Sequence, residues 1–209
     1  SASFDGSNGA ADFGDIAALE GISTITMTAW IKSSTLNVGG STGSGRIVSK
    51  RADNNSFDLY YHDNDNKLEF VANTTPVANG GGSIAGQAWT WIAVTYDSVA
   101  KEATFYTGDG ATLSAGDTTT LDNGLLNANS ASLLIGNTAA GTRTFSGLID
   151  NVRIYNSVED AASLTSIMQF DDAANNTPDP RVTLSTAADP VDSAYTVDVT
   201  FSSDVSGLE

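Results

Sequence analysis

The chain has no cysteine. A disulfide, a thiolate metal site and a cysteine nucleophile are therefore excluded. It has one histidine, His62, so a serine triad would have to be built on that residue. Basic residues are scarce, 9 against 25 acidic ones, for a formal net charge of -16. Nucleic-acid affinity rests on Lys and Arg, which makes this chain a poor candidate for it. No run approaches the ~18 apolar residues needed to cross a membrane, so no membrane insertion is expected. The opening Ser1-Ala2-Ser3-Phe4-Asp5 lacks the basic start and apolar run of a signal peptide. The chain is expected to be a piece excised from a longer, multidomain exported protein.

Aspartate dominates the acidic set. It is a poor helix and strand former but common in turns, so the charge is expected on loops at strand ends. Such loops either solubilise the surface or supply oxygen ligands to a hard cation such as calcium.

Between the turn clusters the sequence reads as short strands, the pattern of a sandwich or jelly roll. In residues 23–32, Ile25, Met27, Ala29 and Ile31 alternate with Thr26, Thr28, Trp30 and Lys32. Phe57, Leu59 and Tyr61 alternate with Asp58, Tyr60 and His62; the run Asp63-Asn64-Asp65-Asn66 then signals a turn, and residues 68–72 return as a hairpin. Residues 89–96, 103–107, 132–135 and 148–155 supply further strands. Residues 38–45, 79–86 and 107–120 read as loops. The first two are glycine-rich, but neither precedes the helical pattern that a phosphate-cradling loop needs. A short helical pattern follows the last strand, with Val158, Leu164, Ile167 and Met168 at roughly helical spacing.

Composition changes at residues 171–180, DDAANNTPDP, which read as a linker. Beyond it, residues 182–184 and 195–201 (YTVDVTF) are two β-type runs. The expected organisation is one domain over residues 1–172, a linker at 173–180 and a fragment at 181–209. A lone hairpin is marginal in water, so the fragment is expected to pack on the first domain or pair with another chain.

Three blocks together resemble laminin G-like domains with the concanavalin A-type jelly roll. They are Phe4-Asp5-Gly6 with Phe13-Gly14-Asp15 and TITMTAWIK (24–32); QAWTWIAVTYD (87–97), where Trp91 stands at a position the family usually fills with His; and the closing GLIDNVRIYN (147–156). In that last block Gly147 is read as the turn feeding the strand. The final stretch resembles the opening of bacterial immunoglobulin-like repeats. The resemblance implies an all-β fold: a two-sheet antiparallel jelly-roll sandwich with one short C-terminal helix, plus a partial immunoglobulin-like β segment. It implies a module of a bacterial secreted or cell-surface protein that binds rather than transforms its ligand. By the same resemblance a structural calcium is expected between the first and last strands, at Asp5 and Asp150, with Asp15 a third candidate.

Burying a bare carboxylate is expensive. Calcium would satisfy Asp150 if it faces inward with Val152 and Ile154; capping of nearby N–H groups, or Arg153, would do so as well. A second cluster, Asp53, Asn54, Asn55 and Asp58 with Asp63 and Asp65 nearby, reads as a ligand- or calcium-binding rim or as plain turn chemistry. Exposed Trp and Tyr faces can stack sugar rings, through apolar area and ring contact. Trp30 and Trp91 would form such a platform if they share an open sheet face; otherwise they belong to the core. Tyr60 and Tyr106 are further candidates.

Catalysis is not expected. Retaining glucanases of this fold need a Glu-x-Asp-x-x-Glu strand that sets two carboxylates about 5 Å apart. Here Glu20, Glu69, Glu102, Glu159 and Glu209 are each isolated. The expected role is a calcium-containing module binding a glycan, or another cell-surface or matrix ligand, in an adhesin. The alternatives are a structural spacer and a protein- or peptide-binding module.

Overall fold

A computed structural model describes residues 1–34, 44–52, 55–62, 66–73, 78–80, 84, 87–174, 182–183 and 196–199. Two antiparallel sheets form the sandwich. The smaller contains β2 (Ala11–Asp12), β4 (Ser44–Ala52), β5 (Asn55–His62), β6 (Lys67–Ala72), β7 (Ala78–Gly80) and β11 (Leu134–Ile135), in the order β2-β11-β4-β5-β6-β7. The larger contains β1 (Ala2–Asp5), β3 (Thr24–Ser33), β8 (Thr90–Asp97), β9 (Glu102–Gly108), β10 (Leu113–Thr120), β12 (Ser146–Tyr155), β13 (Val182–Thr183) and β14 (Thr196–Val199). Its order is β10-β9-β8-β3-β12-β14-β13, and β1 also pairs with β12.

The alternation read from the sequence sorts the faces. Ile25, Met27, Ala29 and Ile31 of β3, Ile92, Val94 and Tyr96 of β8, and Phe57, Leu59 and Tyr61 of β5 all enter the core between the sheets. The β5–β6 hairpin pairs as expected, from Phe57 opposite Ala72 to His62 opposite Lys67.

The one long helix among the described residues, α1 (Ala161–Ala174), lies on the outer face of the larger sheet. Asp160 caps its start, its Oδ1 accepting the Ser163 N–H at 2.8 Å. Leu164 and Met168, four residues apart and so on one helix face, are buried with Trp30, Trp91 and Ala93.

Strand β12 carries a bulge. Asp150 pairs with Trp30 and Arg153 with Thr28, so Asn151 and Val152 together face Ala29, with Asn151 at φ 45°. The bulge divides one edge of β12 between two partners: β1 pairs with residues 146–149, and β14 with residues 152–155.

Three expectations are corrected here. Residues 107–120 are not a loop throughout, because β10 pairs with β9; Thr104 and Thr118 even share a side-chain hydrogen bond of 3.0 Å across the pair. The helix runs to Ala174, into the polar stretch read as linker, because Asp171 is buried against Arg153 at 2.6 Å. Gly147 lies inside β12 rather than in a turn before it. A Cβ there would stand 2.2 Å from the Lys32 carbonyl oxygen, which explains the glycine. Of the two placements expected for the final fragment, its described backbone takes the first, with β14 joined to β12.

Candidate functional site

The outer face of the smaller sheet bears the polar half of the alternation. A bulge in β4 between Arg46 and Val48 turns both Ile47 and Val48 into the core. This leaves Arg46, Ser49 and Arg51 outward, beside Asp58 and Tyr60 of β5. Ser49 faces Asp58 and Arg46 faces Tyr60 in register.

The groups are tightly engaged. Asp58 Oδ1 accepts the Ser49 hydroxyl at 2.6 Å, and Oδ2 accepts Arg46 Nε at 3.1 Å with Arg51 Nη1 at 3.7 Å. The Arg46 guanidinium lies 3.9 Å above the centre of the Tyr60 ring, a cation–π contact. The Tyr60 hydroxyl donates to Glu69. Burial, and then that hydrogen bond, push the phenol well above its ordinary pKa. Burial lowers the pKa of Arg46, and Asp58 opposes the shift.

The loop at 137–144 closes the other side. Asn137, fully buried, donates to the Thr144 hydroxyl at 2.8 Å and accepts the N–H groups of Thr138 and Arg143 at 2.8 and 3.1 Å. The Arg143 carbonyl accepts the Arg46 N–H at 3.0 Å, which joins loop to sheet. Between them lies a groove of about 290 Å³, bounded by Arg46, Arg51 and Asp58 on the sheet and by Thr138, Thr142 and Arg143 on the loop. Its volume lies at the lower end of the ~300–1,000 Å³ range of small-molecule sites.

The described residues among those singled out from sequence do not form one site. Trp30 and Trp91 do share a face and stand opposite each other on β3 and β8, but α1 covers them, leaving 3 % and 0 % exposed. The open aromatic platform is therefore corrected to a second hydrophobic cluster, with Tyr106 at its margin. Tyr60 does not line the groove; its ring is covered by Arg46, which does. Asp58 lines the groove and is already paired with arginine. Asp53, Asn54, Asp63 and Asp65 lie outside the described residues.

Asp5 and Asp150 do not meet. Asp5 pairs with Ser146, whereas Asp150 lies beyond the Ala2–Ile149 pair, four positions further along β12, or about 13 Å at strand rise. Asp5 is exposed and accepts the N–H and hydroxyl of Ser7 at 2.8 and 2.6 Å. Asp150 shares the α1 side of the sheet with its partner Trp30, away from Val152 and Ile154, and accepts the Asn151 N–H at 2.9 Å. Arg153 is taken by Asp171 instead. Asp15 holds the buried Lys50 ammonium at 2.7 Å, which pulls its pKa down. At their separation the Asp5 and Asp150 carboxylates do not converge on one calcium, whose six to eight oxygens must meet at one point. Among the described residues, no three His, Asp or Glu side chains come together in a way that could hold a metal ion.

Sequence reasoning missed Arg46, Arg51 and Arg143. Their signal was rarity: three of the chain's five arginines bound one groove in a protein of net charge -16.

No helix among the described residues is long and apolar enough to cross a membrane. No curated protein sequence matches the chain. Among solved structures, a Bacteroides ovatus protein described as a candidate carbohydrate-binding protein superposes with a TM-score of 0.60 at 17 % identity, covering 78 % of this chain and 45 % of that one. The CBM40 module of a Ruminococcus gnavus IT-sialidase, bound to α2,3-sialyllactose, gives 0.53 at 14 %, covering 79 % and 96 %. The heptameric SAP-like pentraxin of Limulus polyphemus gives 0.61 at 15 %, covering 95 % and 94 %. The chain thus spans less than half of the first of these and nearly all of the other two. The family model of the concanavalin A-like lectin/glucanases superfamily matches residues 5–165. The two-sheet sandwich agrees with that match, and the chain belongs to the concanavalin A-like lectin/glucanase superfamily.

Proposed function

We propose that this chain is a non-catalytic glycan-binding module, in an extracellular protein of adhesin type, and that its site is the groove between Arg46, Asp58 and Arg143. One observation carries the reading. The groove gathers guanidinium and hydroxyl groups on a sheet face where both strands and loop hold them in place. Planar guanidinium forks and hydroxyls are the donors that sugar oxygens require. Two of the solved structures of this fold carry carbohydrate-binding descriptions, which supports the same reading. Among the described residues lining the groove Asp58 is the one carboxylate, whereas glycoside hydrolysis mostly uses a pair. Ligand contact in this reading runs through side chains, without calcium.

The test is a glycan array probed with the whole chain, in calcium and in chelator, alongside Thr142→Trp. Thr142 is exposed at the groove mouth, so the indole blocks entry without disturbing the core. Selective binding that persists in chelator and disappears with Thr142→Trp is expected. Binding unaffected by the substitution would move the site elsewhere. Loss in chelator would restore calcium to the mechanism. A blank array with a folded protein would favour the spacer or peptide-binding roles.

A further inference from the structure

The groove runs against the charge of the molecule. With 25 acidic and 9 basic residues, a pocket assembled at random on this chain would be lined mainly by carboxylates. This one presents three guanidiniums and, among the described residues that line it, one carboxylate. That carboxylate is already engaged. Asp58 Oδ2 holds Arg46, and its Oδ1 holds Ser49.

Arg143 is different. Its guanidinium Nη1 donates to the Ser44 hydroxyl oxygen at 2.7 Å, and that oxygen also accepts from Arg46 Nη1 at 3.2 Å. Two cations thus converge on one neutral oxygen. Arg46 has a counterion and is only 5 % exposed; Arg143 has no carboxylate partner among the described residues. Like charges held together in a partly dehydrated site repel, and the charge on Arg143 contributes to the lowered pKa of Arg46. The two backbones that carry them are held together, because the Arg46 N–H is bonded to the Arg143 carbonyl and Asn137 accepts the Arg143 N–H. Such a pair is stabilised by an anion that reaches both forks. A carboxylate is the planar match for a guanidinium, taking two parallel N–H bonds.

We infer that the groove binds the carboxylate of an acidic sugar residue, a uronic or a sialic acid, with the anion against Arg143 and the outer edge of Arg46. Thr138 and Thr142 line the groove beside that position, and Thr142, exposed at its mouth, offers its hydroxyl to the sugar ring. This inference rests on the glycan-binding reading and narrows it.

Titration calorimetry with the whole chain tests it, using four probes in two matched pairs: methyl glucuronide against methyl glucoside, and 3′-sialyllactose against lactose. Galactose 6-sulfate is the fifth. At least one acidic sugar is expected to bind about tenfold or more tightly than its neutral partner, a difference that one charge-assisted bidentate contact supplies. The pair that shows the preference identifies the source of the carboxylate. The preference is expected to shrink between about 50 and 500 mM NaCl, as screening requires. Arg143→Gln is expected to abolish it, and Arg143→Lys to keep part of it, with the thermal midpoint of each confirming the fold. Equal affinity for acidic and neutral partners would overturn the inference and leave the glycan reading standing. A preference that survives Arg143→Gln would overturn the placement, and binding of the sulfated sugar alone would overturn the carboxylate. Failure of every saccharide to bind would overturn the underlying reading and this inference with it.

Discussion

Arg153 sets two guanidinium nitrogens on a single oxygen of Asp171, with Nη2 at 2.6 Å and Nε at 3.0 Å from Oδ1. The contact ties the C-terminal part of α1 to β12. Asp171 is fully buried, so removing Arg153 would leave a carboxylate out of water without its cation. Breaking such a pair from one side costs about 3–5 kcal/mol, whereas replacing both partners with apolar groups is often neutral. Arg153→Met is therefore expected to lower the urea midpoint strongly, and Arg153→Met/Asp171→Leu to recover most of the loss. If the double variant is no more stable than the single one, the pair is not what pins the helix.

The same helix determines the fate of the tryptophans. Trp91→Ala is expected to cost about 3–5 kcal/mol, as for large core residues, and to leave the saccharide affinity of the folded protein unchanged. Trp91→Phe serves as the milder control. Weaker ligand binding at unchanged stability would show instead that α1 moves aside and opens the aromatic face.

The pH profile follows from two sets of groups. Hydrogen bonds hold Asp15 (from Lys50), Asp5 (from Ser7), Asp109 (from Thr112) and Asp160 (from Ser163) below the ordinary carboxylate pKa. Their contribution is present above about pH 4, the unfolded value, and is lost as pH falls through the folded values. Burial raises Tyr60, Tyr96 and Tyr106. Their contribution is present below about pH 10 and is lost as pH rises beyond it. Denaturant titrations across pH should show a plateau between these limits. Asp15→Asn should make the acid limb shallower; an unchanged limb would remove the Asp15–Lys50 contact from the account.

Gly147 gives the sharpest structural test. Its φ is 141°, and a Cβ would lie 2.2 Å from the Lys32 carbonyl oxygen and 2.8 Å from the Ser33 Cα. Both neighbours are backbone of β3, so neither can step aside without breaking the β3–β12 pairing. Gly147→Ala is expected to yield little folded protein. Gly124→Ala, with open space around its Cβ but φ 67°, should show only the smaller cost of a left-handed alanine. Near-wild-type stability of Gly147→Ala would mean that β12 is not held as described.

Alternation in the sequence determined most of the sandwich. The assignment of Ile25, Met27, Ala29 and Ile31 to one face follows from a period of two, and so does the inward face of the β5–β6 hairpin. Rarity also carried information, since arginine is scarce in this chain, but it did not say where the arginines would gather. Tertiary structure decided three things that periodicity cannot express. The bulge in β4 reversed the alternation after Ile47 and set Arg46 and Ser49 on the same outer face. The docking of α1 converted Trp30 and Trp91 from candidate platform to core. The β1–β12 register separated Asp5 from Asp150. Each depends on which strand lies beside which, and on its offset. Those are long-range pairings chosen by the packing of the whole domain, so the alternation defined the faces and the fold decided what would stand on them.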